Sequence, residues 1–208
     1  MKELELVIAT NNKHKVKEIK HLLRGMPVKV IGLDEGAWNI PKVVEDGETF
    51  KDNAVKKATV IANATGMVAL ADDSGLEVDV LGGQPGVISA RFAGENASDR
   101  ENNIKLLGLL KDIPADRRGA QFRCTIAVAS PKGVIDVVEG ICRGEIGFGE
   151  QGGQGFGYDP IFIPAGYSKT FAEISLDVKN KISHRGRALE KAKLVLERLM
   201  IQLEACNE

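Results

Sequence analysis

The chain alternates short apolar runs with stretches whose apolar residues recur every three to four positions. The runs read as buried strands and the recurring patterns as amphipathic helices. Leu4 to Ala9 is the first strand. Thr10, Asn11 and Asn12 follow as a polar turn and helix N-cap. Val16, Ile19, Leu22 and Leu23 then hold helical spacing up to a stop at Gly25 and Pro27. Val28 to Ile31 is a second strand, and Gly32 to Glu48 is irregular. Thr49 to Ala64 is helical again, with Phe50, Ala54, Ala58 and Ile61 on one side. Met67 to Ala71 is a strand broken by Asp72-Asp73-Ser74-Gly75, with Leu76 to Val80 as a further short strand.

Ser98 and Glu101 have capping-box spacing at the head of a helix over Ser98 to Leu110. Gln121 to Ala129 and Val134 to Cys142 form a hairpin around Ser130-Pro131-Lys132-Gly133. Gly144 to Gly157 is glycine-rich, but Ile146, Phe148 and Phe156 within it argue for an ordered loop rather than a linker. Gly186 to Glu204 closes the chain as an amphipathic helix, with Leu189, Ala192, Leu196, Leu199 and Leu203 on one face. Early alternation and a late hairpin predict an α/β, mixed α+β plan around one sheet. No linker divides residues 1–208, which read as a single domain.

Composition narrows the function classes. With 43% hydrophobic and 27% charged residues over 208 positions, the chain can bury a core without disulfides. Its 28 basic and 29 acidic residues nearly cancel, which argues against a nucleic-acid coat or a binder of anionic membranes. No apolar run reaches the ~18 residues of a membrane span. The charged opening Met1-Lys2-Glu3 does not read as a signal peptide. Cys124, Cys142 and Cys206 lie far apart with no metal-site spacing, as thiols of a reducing, cytoplasmic compartment would.

Four segments can carry chemistry. Thr10-Asn11-Asn12-Lys13-His14-Lys15 places backbone N–H groups and two lysines at a helix N-terminus, a setting for phosphate; it also reads as a plain capped helix. Asp72 and Asp73 suit a hard cation that is shared with substrate phosphates; Glu45, Asp46 and Glu48 could add a ligand. Their alternative is an Asx turn with solvated carboxylates. Phe156-Gly157-Tyr158-Asp159-Pro160 joins an aromatic platform to a carboxylate, as base stacking requires, or is a loop anchor. Lys179 to Gly186 gathers Lys179, Lys181, Ser183, His184 and Arg185 before the last helix, as phosphate or base-carbonyl donors or as a basic cap. Together the four compose a nucleoside triphosphate site.

Six ordered segments carry a family resemblance. They are Ala9 to Glu18, Asp46 to Ala54, Ala71 to Val78, Leu81 to Arg91, Gly155 to Phe162 and Ile182 to Leu189. In these the chain resembles the inosine triphosphate pyrophosphatase family, which hydrolyses XTP, ITP and dITP. The resemblance implies two α/β lobes on a long, curved mixed β-sheet, with an active-site cleft between them. It implies a homodimer, Mg²⁺ dependence, and cleavage of a purine nucleoside triphosphate to monophosphate and pyrophosphate, which cleanses the nucleotide pool.

Residue roles follow from the same resemblance. Thr10, Asn11, Asn12, Lys13, His14, Lys15 and Lys57 belong to triphosphate binding. Asp73 is the catalytic proton acceptor and a metal ligand, with Ser74 beside it on the substrate. Phe156 stacks on the base, in a pocket shaped by Gly157, Tyr158 and Asp159. Lys179, His184 and Arg185 complete base and phosphate recognition. In many relatives two adjacent acids precede the Gly-x-Thr-Phe motif; here only Glu45 and Asp46 are near, displaced, and Glu45 is placed as the second metal carboxylate. Competing readings are a Maf-like pyrophosphatase with a different base preference and a non-catalytic nucleotide-binding regulator. The former is disfavoured by Phe156-Gly157-Tyr158-Asp159, the latter by the intact Asp72-Asp73 pair.

Overall fold

The structure is a computed structural model and describes residues 3–205; Met1, Lys2 and Cys206 lie outside them. Strand β1 (Leu4–Ile8) leads into helix α1 (Lys13–Leu22), then β2 (Val28–Gly32), α2 (Phe50–Thr65) and β3 (Val68–Val78). Helix α3 (Asp99–Leu109) follows, then the long strands β4 (Gly119–Ser130) and β5 (Gly133–Ile146) and the short β6 (Phe162–Pro164). Helices α4 (Leu176–Ile182) and α5 (His184–Ala205) close the chain. One six-stranded sheet has the order β2-β1-β3-β4-β5-β6. β1 pairs parallel with β2 and β3, whereas β5 and β6 are antiparallel, so the sheet is mixed. The predicted mixed α/β class is the one observed.

Two compact units divide the chain. The first comprises 1–73, 125–139 and 187–208, the second 74–124 and 140–186. Each has its own core. Val7, Ala54, Ala58, Ile61, Ala69 and Ala127 belong to the first; Leu76, Leu106, Phe122, Ile161, Phe162 and Phe171 belong to the second.

The cap at Asn12 and the capping box at Ser98 are those that the sequence implies; a further box, at Thr49, is added by the structure. Asn12 caps α1, Thr49 and Asp52 form a reciprocal capping box on α2, and Ser98 and Glu101 form one on α3. The hairpin strands run longer than their apolar pattern, and the turn falls at the predicted place.

Three expectations change. Asp72-Asp73-Ser74-Gly75 does not break a strand: β3 runs through it to Val78 without interruption. Turn-forming residues stay extended here because β3 is an interior strand, hydrogen-bonded between β1 and β4. The segment before the last helix is itself a helix, α4, and α5 starts at His184 rather than Gly186. Of the glycine-rich stretch, Gly144 to Ile146 belong to β5, with Ile146 buried, and Phe148 is exposed beneath the Arg118 guanidinium at 4.4 Å, so it does not anchor the loop in the core.

Candidate active site

The first unit gathers an acidic centre. Strand β3 carries Asp72 and Asp73, both buried. Lys15, from α1, reaches Asp72 at 3.1 Å. Lys57, from α2, reaches Asp73 at 3.0 Å and Glu45 at 3.2 Å. Two carboxylates from distant segments thus share one buried ammonium. Asp46 turns instead to Lys56, at 2.5 Å and in solvent, so Glu45 is the acid of the irregular segment that joins this centre.

Burial governs the electrostatics. It pushes the Asp73 carboxyl up from its ordinary value, and the nearby charges of Lys57 and Lys15 offset this only in part. Burial lowers Lys57, but the charges of Asp73, Asp72 and Glu45 together more than reverse this and leave it raised. Lys57 is therefore a firmly protonated cation.

Asn53 completes the centre and was not legible as a functional residue. Its Nδ2 donates to Asp73 Oδ2 at 3.2 Å, and its Oδ1 accepts from the Gly47 backbone N–H at 2.8 Å. One amide thus ties the segment bearing Glu45 to the strand bearing Asp73. The available signal is its spacing: Phe50, Asn53, Ala54, Lys57, Ala58 and Ile61 form the buried stripe of α2. A polar residue on such a stripe marks a buried partner.

The N-terminal turn behaves differently from a bare phosphate cradle. Asn12 Oδ1 accepts from the His14 and Lys15 backbone N–H groups at 2.9 and 3.3 Å, so the cap uses two of the helix-terminal donors. Thr10 Oγ1 accepts from Asn12 N at 3.2 Å. Asn11, Lys13 and His14 are exposed, and of the predicted set Lys15 alone is shown joining the acidic centre.

The second unit gathers a cationic aromatic platform. Lys179 and Asp159 form an ion pair at 2.6 Å with both side chains 4% exposed. Asp159 Oδ2 also accepts from the Phe156 backbone N–H at 2.8 Å. Lys179 Nζ lies 5.0 Å and Arg185 Cζ 5.5 Å from the Phe156 ring centre. Arg185 donates to Ser74 Oγ at 2.9 Å. His184 is buried and stacks on Phe122, 4.6 Å between ring centres and 10° from parallel. The buried Tyr158 hydroxyl donates to the Ser89 carbonyl at 2.8 Å.

Two glycines are required by this packing. A Cβ on Gly155 would stand 2.0 Å from Asp159 Oδ2, and one on Gly186 would stand 1.8 Å from the Asn180 carbonyl oxygen.

Among the described residues no three His, Cys, Asp or Glu side chains are gathered as a metal cage. Glu45 and Asp73 offer oxygen alone, the donor chemistry of a hard divalent cation that takes its remaining ligands from water and substrate phosphate. The residues present fit such an ion.

An oxygen-donor centre backed by lysines and a cation-flanked aromatic platform define a nucleotide-handling α/β protein. The Ham1 family profile matches residues 6–195, and the chain belongs to that family. It is 54% identical to a dITP/XTP pyrophosphatase of Desulforamulus reducens, over 97% of this chain and 100% of the relative. It is 52% identical to a dITP/XTP pyrophosphatase of Geobacter sulfurreducens, over 88% and 92%. Among solved structures, the HAM1 protein of Coxiella burnetii superimposes with a TM-score of 0.83 at 42% identity, covering 94% of this chain and 99% of that one. The Staphylococcus aureus Ham1 protein gives 0.82 at 42% identity, covering 93% and 98%.

Proposed function

We propose that the chain hydrolyses non-standard purine nucleoside triphosphates, dITP, XTP and ITP, to the monophosphate and pyrophosphate. The observation that carries the reading is the pairing of two adjacent buried carboxylates, Asp72 and Asp73, with separate lysines, Lys15 and Lys57. Buried acids held beside cations serve a reaction in which charge develops on phosphate oxygens, where positioning and neutralisation dominate. A pure binder of nucleotides needs no such buried acid. The relatives named above support the base class, and Phe156-Gly157-Tyr158-Asp159 distinguishes the chain from a Maf-like enzyme.

In this reading Asp73 orients the attacking water at the α-phosphorus and takes its proton, and Asn53 holds its second oxygen in place. Lys57, Lys15 and the Thr10–Lys13 turn with His14 receive the triphosphate. Mg²⁺ held by Glu45 and Asp73 would neutralise charge on the leaving pyrophosphate. Phe156 stacks on the base, and Lys179 and Arg185 supply positive charge beside it. His184 and Arg185 can donate to a C6 carbonyl, which hypoxanthine and xanthine present where adenine presents an amino donor; a donor facing a donor would leave buried groups unpaired. Ser74 stays on the substrate side through Arg185. The chain acts in the cytoplasm, as a homodimer.

Pyrophosphate release with Mg²⁺ across ITP, XTP, dITP, ATP, GTP and CTP tests the whole reading. A preference for the first three is expected. Turnover of another base class would return the Maf-like reading, and binding without turnover would return the regulator.

A further inference from the structure

The carboxylate of Asp99 accepts from the Gly157 backbone N–H at 2.6 Å. Asn103, one turn along the same helix, donates from Nδ2 to the Gly157 carbonyl at 3.2 Å and to Glu150 Oε1 at 3.0 Å. Helix α3 therefore grips Gly157 at both its N–H and its C=O. The Gly157 N–H belongs to the peptide that follows Phe156, and the Phe156 N–H is already held by Asp159. Both peptides flanking the aromatic ring are thus fixed by carboxylates. Gly157 sits at a φ of +61°, a conformation that the two grips hold in place.

Asn103 is 1% exposed, and its Oδ1 has no hydrogen-bond partner among the described residues. A buried amide that satisfies only its donor end is a poor choice for stability alone. Its orientation is dictated instead by two acceptors, one of which is Gly157.

We propose that Asp99 and Asn103 are positioning residues for purine recognition: they set the attitude of the Phe156 ring by clamping Gly157. The proposal rests on the reading of Phe156 as the base-stacking residue. Fixing a platform in advance removes an ordering cost from binding without altering the chemical step, so its loss appears in KM rather than kcat.

Asp99→Ala is the first variant, because Asp99 is exposed and its removal leaves the core intact. Glu101→Ala is the control: it also deletes an acid from the first turn of α3, and breaks the capping box, without touching Gly157. Asp99→Ala should raise KM for dITP and XTP about tenfold with kcat within about twofold, as loss of uniform binding does. Exchange of the Gly157 amide should quicken in the same variant. Glu101→Ala should lower Tm and leave both KM and Gly157 exchange unchanged. Asn103→Leu, if folded, should reproduce the KM effect. Equal KM changes in the Asp99 and Glu101 variants, or an unchanged KM in the former, would overturn the clamp. A wild-type enzyme that turns over none of these nucleotides would instead overturn the function; the clamp would then stand or fall on Gly157 exchange alone.

Discussion

Lys57 Nζ lies 3.0 Å from Asp73 Oδ1, with each side chain 8% exposed. A buried pair of this kind adds little to stability relative to apolar residues of the same size, because desolvation offsets the attraction. It is maintained here by Asn53 on the other Asp73 oxygen and by Glu45 on the same ammonium. The arrangement holds a carboxylate ready, at a fixed place, in surroundings that resist its ionisation.

Replacing that carboxylate should be decisive. Asp73→Asn keeps the shape and the Asn53 neighbour but removes the proton acceptor. A fall in kcat of about a hundredfold or more is expected, with KM changed modestly. Steady-state pyrophosphate release from dITP is the measurement. Near-normal turnover would remove Asp73 from the reaction.

Glu45 is 43% exposed where it meets Lys57 at 3.2 Å. Glu45→Gln should therefore leave Tm nearly unchanged, yet raise the Mg²⁺ concentration for half-maximal rate by about tenfold. Chelation should stop wild-type turnover and added Mg²⁺ restore it. An unchanged Mg²⁺ requirement in the variant would take Glu45 out of the ligand set.

In the second unit the Lys179–Asp159 pair predicts a stability effect with a rescue. Lys179→Met leaves Asp159 as a buried charge and should cost about 3 kcal/mol in urea denaturation. Adding Asp159→Asn should recover part of that loss, because the stranded charge disappears. If the double variant is as unstable as the sum of both single changes, the pair is not energetically coupled.

Tyr158 gives the pH dependence. Burial, then the Asp99 charge, raise its hydroxyl well above its ordinary 10.0. The folded state thus keeps a proton that the unfolded state has lost. Its contribution is complete below pH 10.0 and declines as pH climbs through the folded value. Tyr158→Phe should flatten the alkaline decline in Tm above about pH 10. It should also cost about 1 kcal/mol at neutral pH, since the Ser89 carbonyl loses its donor.

Much of this was legible from the residues. The caps at Asn12 and Ser98 and the apolar stripe of α2 depend on local chemistry that neighbours in sequence supply, whereas the stripe read for α5 runs past its buried part, with Leu203 44% exposed. The strand through Asp72 to Gly75 was not, because Asp, Ser and Gly favour turns unless pairing with strands distant in the chain holds them extended. Helix α4 is seven residues long and buries Lys179 and Asn180 rather than an apolar stripe, so periodicity misses it. Asn53 and Asp99 escaped for a similar reason. Each acts on a backbone group or a carboxylate far away in the chain, and no spacing rule encodes such a meeting. The resemblance assigned Lys15, Lys57, Glu45 and Asp73 to one site but gave no distance between them.

The uninterrupted path of β3 has a genetic consequence. Successive side chains of a strand emerge on opposite faces, so Asp72 and Asp73 point away from each other, each toward a different helix. A deletion or insertion of one residue between Met67 and Ala71 would turn each acid to the face that the other now takes. Lys57 would then lose Asp73, and the side chains packed on the two faces of the strand, both buried, would change sides. Length drift, tolerated in loops, is forbidden here by parity: the strand can change its letters but not its count.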